Sequence, residues 1–514
     1  MTKPNAPQRA RKPKGPKAPS APKNHSAHSG QTGRTGKTAA VPRSPYAAAP
    51  AAAPAPASAP AKAAKAKAPS RTPFQTQARP KPQAAPRPRS GTASTAPGAR
   101  ISRRAAERLR TGHLWVYASD IEELEIGPGE PNIAPPALLP VADNRGILLG
   151  TALYSPESQI ALRMVSRQAL DQNAWLALFE ARLRAAIARR RSLLTAETDS
   201  CRLVFSEADE LPGLIVDKYN DLVVVQRLTP GLLNLAIAGT LVRVLRDELA
   251  PSAIPSSILE RPDPRMRELE SLPSPDLAPL WAADPGNPAT QTQFHLNGLR
   301  FHFDANSGQK TGAFLDQRAN YAAVRDWARH MAPGGRALDV CTYQGGFALH
   351  LAQVCRTVTG VDASRASLEV AEQNLTANRD QISAAVDWVE ADAFQLLRDW
   401  SGSEKPGSGE RFDVIVLDPP AFAKSKRAVE GALRGYKELN LRALHMLRPG
   451  GLLVTCSCSH HVSWADLEAA VAAAAADAHR RVRLLERRGA ALDHPVVLNL
   501  PETEYLKCLV LEVE

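Results

Sequence analysis

From about Phe301 onward, short apolar runs alternate with longer segments in which apolar residues return every three or four positions. The runs RALDVCT, TVTGVDA, VDWVEAD, FDVIVLDPP and GLLVTCSC predict strands. The segments FALHLAQVC, SLEVAEQNLTANR, AFQLLRDW, LRGYKELNLRALHML and ADLEAAVAAAAADAHRR predict the helices between them. Regular alternation of this kind predicts an α/β domain with a parallel, doubly wound Rossmann-like sheet, because a parallel strand pair needs a crossover long enough for a helix. Two more strand candidates, VRLLERR and YLKCLVLEV, close the chain, and the last follows too soon for a helical crossover, so it is expected to enter antiparallel.

Upstream the pattern changes twice. Residues 171–296 read as a central α+β module. It has a helix in AWLALFEARLRAAIARRRSLL, two strand runs around turn residues in RLVFSEADELPGLIVDKYNDLVVVQRL, a helix in GLLNLAIAGTLVRVLRDELA, and a Pro-rich exit. Residues 99–170 carry the strand-like pieces ALLPVAD, GILLGTALYS and IALRMVS among Gly/Pro turns, a small and mostly β module. Residues 1–98 show no periodicity; Ala, Pro, Lys, Arg and Ser dominate, with too little apolar mass to offset ordering entropy, so this tail is expected to be disordered.

Composition sharpens the division. The first 100 residues hold 19 of the 43 prolines and 19 Lys and Arg with no acid, so the remainder of a chain of net charge +12 is mildly acidic. Such a tail is suited to holding RNA through counterion release, and the competing reading is a solubilising extension without a partner. Six scattered cysteines do not make a disulfide framework, and no apolar leader or membrane-length segment is present, so a reducing, cytoplasmic setting is expected, without membrane contact. The sequence leaves room for a homodimer.

In doubly wound sheets ligands bind beyond the carboxyl ends of the strands, so the strand ends carry the chemistry. The first ends Asp339-Val-Cys341-Thr342-Tyr343-Gln-Gly345-Gly346-Phe347, which lacks the G-x-G-x-x-G spacing that seats a pyrophosphate. S-adenosylmethionine (SAM) has no phosphate and tolerates a looser turn. Asp362, before Ala363 and Ser364 at the second strand end, can accept from ribose hydroxyls. Asp392, before Ala393 at the third, can accept from an adenine amino group. The fourth ends Asp418-Pro419-Pro420, then Phe422 and Lys424: a carboxylate fixed before two prolines, with an aromatic ring to stack on a flat base. The fifth ends with Cys456, Cys458, His460 and His461. Residues at i and i+2 share a strand face and His460 extends that row, which raises zinc. Structural zinc draws on two separated ligand pairs and no second C-x-x-C follows, so no metal is expected; a strand-end thiol opposite a DPP loop suits a nucleophile better.

The segments GQKTGAFLDQRANY, LDVCTYQGGF, VDAS, DPPAFAKSK, GALRGYKELNLRAL, TCSCS and DHPV…YLK, in this order, resemble the ribosomal large-subunit methyltransferase I family, which methylates cytosine carbon 5 in 23S rRNA. The resemblance covers about residues 101–514, with a PUA-like RNA-binding module before the central one and a class I SAM-dependent methyltransferase domain over residues 297–514. It implies Cys458 as the nucleophile and Asp418 as the residue holding the base. It also implies Gln309, Lys310, Phe314, Asp316, Gln317 and Arg318 as a segment closing over the cofactor. Asp339, Cys341, Thr342, Tyr343, Gly345, Phe347, Asp362, Ser364, Asp392, Ala393 and Asp418 complete the expected cofactor set, and Pro419, Pro420, Phe422 and Lys424 the substrate set. Related two-cysteine enzymes place a cysteine after DPP where this chain has Ala421. Two alternatives stand beside this reading: methylation of guanine by a DPP-containing module, and a non-catalytic RNA-binding assembly protein.

Overall fold

The computed structural model describes residues 98–125, 138–250, 254–274, 276, 278–307, 311–402 and 409–514. The expectation for the basic tail and the assignments of Gln309 and Lys310 lie outside these residues.

Three larger sheets and one two-stranded hairpin carry the described residues. The first, six-stranded, is ordered Trp115–Val116, Leu162–Ser166, Leu148–Tyr154, Leu138–Ala142, Gly98–Ile101, Ile121–Glu125. Ser102 caps the helix Arg103–Arg110 by accepting from the Ala105 amide at 3.2 Å, and that helix buries Ala105, Ala106 and Leu109 against the sheet. The second sheet has five strands, Trp281–Ala282, Ser257–Glu260, Leu222–Arg227, Leu214–Tyr219 and Ser200–Phe205. Helices Gln172–Arg190 and Leu235–Leu249 pack on it.

Here the sequence reading needs correction, since three strands stand where two were expected. Asn220 takes a left-handed φ of 50°, which lets the chain reverse at once and pair Tyr219 with Leu222. A further antiparallel hairpin, Gln291–Leu296 with Leu299–Asp304, spans the expected domain boundary at residues 296 and 297. Its turn is Asn297-Gly298, both with positive φ, the pair that matches the twist of a tight hairpin.

The third sheet is ordered Ala385–Glu390, Thr357–Asp362, Arg336–Val340, Phe412–Leu417, Leu447–Ser457, Lys507–Val513, Val482–Arg488. The first five are parallel, and Lys507–Val513 runs antiparallel to both of its neighbours, as expected, although residues 489–506 before it are long enough for a crossover and hold only the short 3-10 turn Pro501–Thr503. Helices Arg318–Met331 and Gly346–Ala352 cover one face. Helices Ala393–Trp400, Val429–Met446 and Trp464–Asp477 cover the other. Each fully buried Leu, Val or Phe in these two cores contributes roughly 1.5–3 kcal/mol. Strand order reverses between Arg336–Val340 and Phe412–Leu417, so a crevice opens beyond their carboxyl ends. No helix among the described residues is long and apolar enough to cross a membrane.

Candidate active site

The turn after the first strand is wound tightly. Cys341, Tyr343 and Gly345 all take positive φ, at 65°, 53° and 86°. For the two non-glycine residues this costs about 1–3 kcal/mol each, so the surroundings must hold them there. Asp339 does so from beneath: its buried Oδ2 accepts from Thr342 Oγ1 at 2.5 Å and from the Ala348 amide at 2.9 Å. Gly346 has no room for a side chain, since a Cβ would lie 2.5 Å from the Tyr321 ring.

The turn delivers the Tyr343 amide to Asp362 Oδ2 at 2.9 Å, while the Ser364 amide reaches Asp362 Oδ1 at the same distance. A carboxylate has about four acceptor positions, so two remain for hydroxyl donors from the cavity that Asp362 lines. Asp362→Ala is expected to weaken SAM binding by about 1.5–3 kcal/mol, roughly 10- to 100-fold, measured by calorimetry.

Burial pushes the Asp339 carboxyl up to about 7. Its Oδ1 has no hydrogen-bond partner in the structure, so no donor there offsets the burial of a negative charge. Between about pH 4 and pH 7 the folded protein therefore keeps a proton that the unfolded chain has released, and the stability tied to it is lost as pH rises through that window. Asn is the isostere of the protonated acid. Relative to the native protein, Asp339→Asn is expected to gain stability steadily from about pH 4 to about pH 7 in denaturant unfolding and to level off above that; a constant difference would place the ionised acid in the folded state throughout.

The crevice holds a cavity of about 690 Å³. On its walls stand Phe314, Asp316, Gln317, Cys341, Thr342, Tyr343, Phe347, Asp362, Asp392 and Ala393 from the expected cofactor set. Asp418, Pro419, Pro420, Phe422 and Cys458 line the same space. The donor and acceptor set suits SAM. Acidic acceptors at the second and third strand ends can meet the ribose and adenine, and the Phe314, Tyr343 and Phe347 rings give an apolar wall. Asp392 accepts from the Gln395 amide at 3.0 Å and so caps the next helix while lining the cavity.

Five expected residues stand elsewhere. Arg318 is buried behind the wall, where its guanidinium donates to the Ser200 carbonyl at 2.7 Å and pairs with Asp493 at 3.4 Å. A charge so placed must stay with its partner, so Arg318 supports the site from outside. Asp339 and Gly345 shape the turn, and Ser364 caps the helix Arg365–Ala377. Lys424 is exposed on the loop beyond the prolines and is absent from the cavity wall. The row of Cys456, Cys458 and His460 on one strand face does not form, because the strand ends at Ser457. Cys456 is buried in register with Cys508, whereas Cys458 enters the cavity, its Sγ 4.0 Å from the Pro419 carbonyl.

All six cysteines are thiols. Burial pushes Cys201 and Cys355 up to about 12 and Cys341 higher still. Contact with the Cys508 thiol, together with burial, raises Cys456. These four stay protonated and inert near neutral pH. Sequence reasoning missed Lys507, although it lies in the C-terminal YLK motif. Its ammonium is buried, donates to the Tyr505 carbonyl at 2.9 Å, and is near enough to Cys458 for the two charges to interact. Burial lowers the Lys507 pKa, and negative charge on Glu504 and Cys458 works against that. Also missed was a buried relay: Arg488 Nε donates to Asn320 Oδ1 at 2.9 Å, Asn320 Nδ2 to Gln317 Oε1 at 2.6 Å, and Gln317 Nε2 to Asp418 Oδ2 at 3.0 Å.

Fold and site together define a SAM-dependent methyltransferase preceded by a PUA-like domain. The family model for S-adenosylmethionine-dependent methyltransferases matches residues 263–497, and that for the PUA-like domain matches residues 99–167. The chain belongs to the ribosomal RNA large subunit methyltransferase I family. It is 34% identical over 412 residues to the member from Pseudoalteromonas translucida, covering 79% of this chain and 96% of the relative. It is 36% identical over 399 residues to that from Erwinia tasmaniensis, covering 77% and 94%. Among solved structures, the methyltransferase SMU.776 complexed with SAH shares the fold at a TM-score of 0.65 and 19% identity, over 81% of this chain and 100% of that one.

Proposed function

We propose that this protein transfers the methyl group of SAM to carbon 5 of a cytosine in 23S rRNA, through a transient bond between Cys458 and carbon 6. Membership of a family named for ribosomal RNA methylation supports the substrate class. The observation that carries the chemistry is the thiol of Cys458 beside the Pro419 carbonyl, in the same cavity as Asp418 and Asp362.

SAM, when bound, supplies an electrophilic methyl group on its sulfonium. Carbon 5 of cytosine is too poor a nucleophile to take it unaided. The Cys458 thiolate adds to carbon 6 and turns the ring into an enamine, so that carbon 5 can accept the methyl group. A general base then takes the carbon 5 proton, which restores the double bond and expels the sulfur as thiolate; with Ala421 after Asp418-Pro419-Pro420, that base is not a second cysteine. The nearby Lys507 ammonium favours that thiolate. Asp418 hydrogen-bonds the base edge and, protonated, stabilises charge at ring N3. The target base must leave its stack to reach the cavity, either by flipping or because the rRNA is locally open.

The test is nucleoside mass spectrometry of 23S rRNA after incubation with enzyme and SAM. 5-Methylcytidine is expected. A methylated guanosine would move the chemistry to the base that needs no thiol, and absence of any methylated nucleoside would leave the non-catalytic reading.

A further inference from the structure

A second cavity, of about 470 Å³, is lined by Trp115, Tyr117, Lys426, His460, His461 and Glu502. The chemistry above uses none of these residues. The groove nevertheless adjoins the reacting thiol, because His460 is two residues beyond Cys458, at most about 7 Å of extended chain. Lys426 comes from the loop that follows Asp418-Pro419-Pro420, where Lys424, Lys426 and Arg427 are all exposed.

The walls are flat and held in place. Trp115 donates its indole N–H to Glu207 at 3.0 Å. The Arg108 guanidinium sits 5.6 Å from the centroid of the Tyr117 ring and is itself paired with Asp120 at 2.6 Å. The imidazoles of His460 and His461 meet edge to face, with centroids 5.5 Å apart. Burial, then the neighbouring His461, lowers the His460 pKa, which keeps the ring neutral and favours stacking over ion pairing. The one carboxylate among these lining residues, Glu502, lies 3.5 Å from His113 and is close enough to Tyr117 and His460 for its charge to act on both.

We propose that this groove takes the base of a nucleotide adjacent to the target in rRNA, stacked on Tyr117 and His460, with its phosphate met by Lys426. Extruding one base strips its neighbour of a stacking partner, and aromatic faces close to the reacting thiol replace it. A basic mouth fits a polyanion better than a protein loop. The proposal rests on the reading of rRNA as substrate and adds where the strand runs: from the catalytic cavity toward the PUA-like module.

The experiment uses the full chain loaded with S-adenosylhomocysteine and a 23S rRNA fragment spanning the methylated base, intact or abasic at either neighbouring position. For the native protein, one of the two abasic fragments is expected to bind about 10-fold more weakly than the intact one. In Tyr117→Ala/His460→Ala the intact fragment should bind about 10-fold more weakly, the abasic site should cost nothing further, and SAM affinity should be unchanged. Tyr117→Phe and His460→Phe should keep native affinity, which separates loss of a ring face from loss of folding. Losses that multiply, or an unaffected double variant, would overturn the proposal; a groove that serves a protein partner would give the second result. A native protein that neither binds nor methylates the intact fragment would sink the rRNA reading and the groove with it.

Discussion

Cys458→Ala is expected to reduce methyl transfer by at least about four orders of magnitude while SAM affinity stays within about 2-fold, because the thiol activates the base and has no part in the cofactor's ribose or adenine contacts. Cys456→Ala is expected to keep most of its activity, since that thiol is buried, pushed up by the Cys508 contact and shut away from the cavity. The two substitutions lie two residues apart and remove the same atom, so the contrast isolates exposure and surroundings from chemical type. A 5-fluorocytosine at the target position has no carbon 5 proton to lose, so the adduct should persist as a protein–RNA band that resists denaturation. That band should be present in native protein and Cys456→Ala and missing in Cys458→Ala. Robust methylation by the double variant would end the thiolate scheme and bring guanine forward. Lys507→Met should act on the same step by removing the cation near Cys458, raising the pH at which activity appears.

The strand ends were legible in the sequence because a doubly wound sheet delivers its carboxyl termini to one crevice, and Asp362, Asp392, Asp418 and Cys458 needed only correct strand assignment to be brought together. What was not legible depended on partners distant in sequence. The Arg488 contact to Asn320 spans 168 residues, and nothing local to either marks it. Arg318 sits in a motif that points to the cofactor, yet its charge is held by Asp493 and the Ser200 carbonyl. The Asn297-Gly298 hairpin is a different kind of miss. The signal is present in the sequence, since QTQFHL and LRFHFD alternate on either side of an Asn-Gly turn, but a boundary at residues 296 and 297, set after the Pro-rich exit, separates the two strands. The separation of Cys456 from Cys458 followed from where pairing stops: two-residue periodicity holds only inside the ladder, which ends at Ser457.

Asp418→Asn is expected to lower kcat by about 10²- to 10⁴-fold with SAM affinity nearly unchanged, and the buried relay behind it specifies a sharper test of why. Arginine carries only donors, so Arg488 obliges Asn320 to present its oxygen. The Asn320 amide nitrogen must then face the Gln317 oxygen, and the Gln317 nitrogen must face Asp418. The polarity of the whole chain is thus fixed from guanidinium to carboxylate, and Asp418 receives an N–H that holds it in one orientation at the cavity wall. Gln317, Asn320 and Arg488 are positioning residues in this scheme. Asn320→Asp conserves size but offers only acceptors, so the Gln317 amide should turn its nitrogen toward residue 320 and its oxygen toward Asp418. Two facing acceptors can share the contact only if Asp418 is protonated, so the limb of the pH–kcat profile that reports Asp418 should move to higher pH, with KM for rRNA little changed. A merely structural role would lower thermal stability and leave the profile where it was. Asn320→Ala, which frees the amide without reversing it, should cost about 10-fold in kcat with no such displacement.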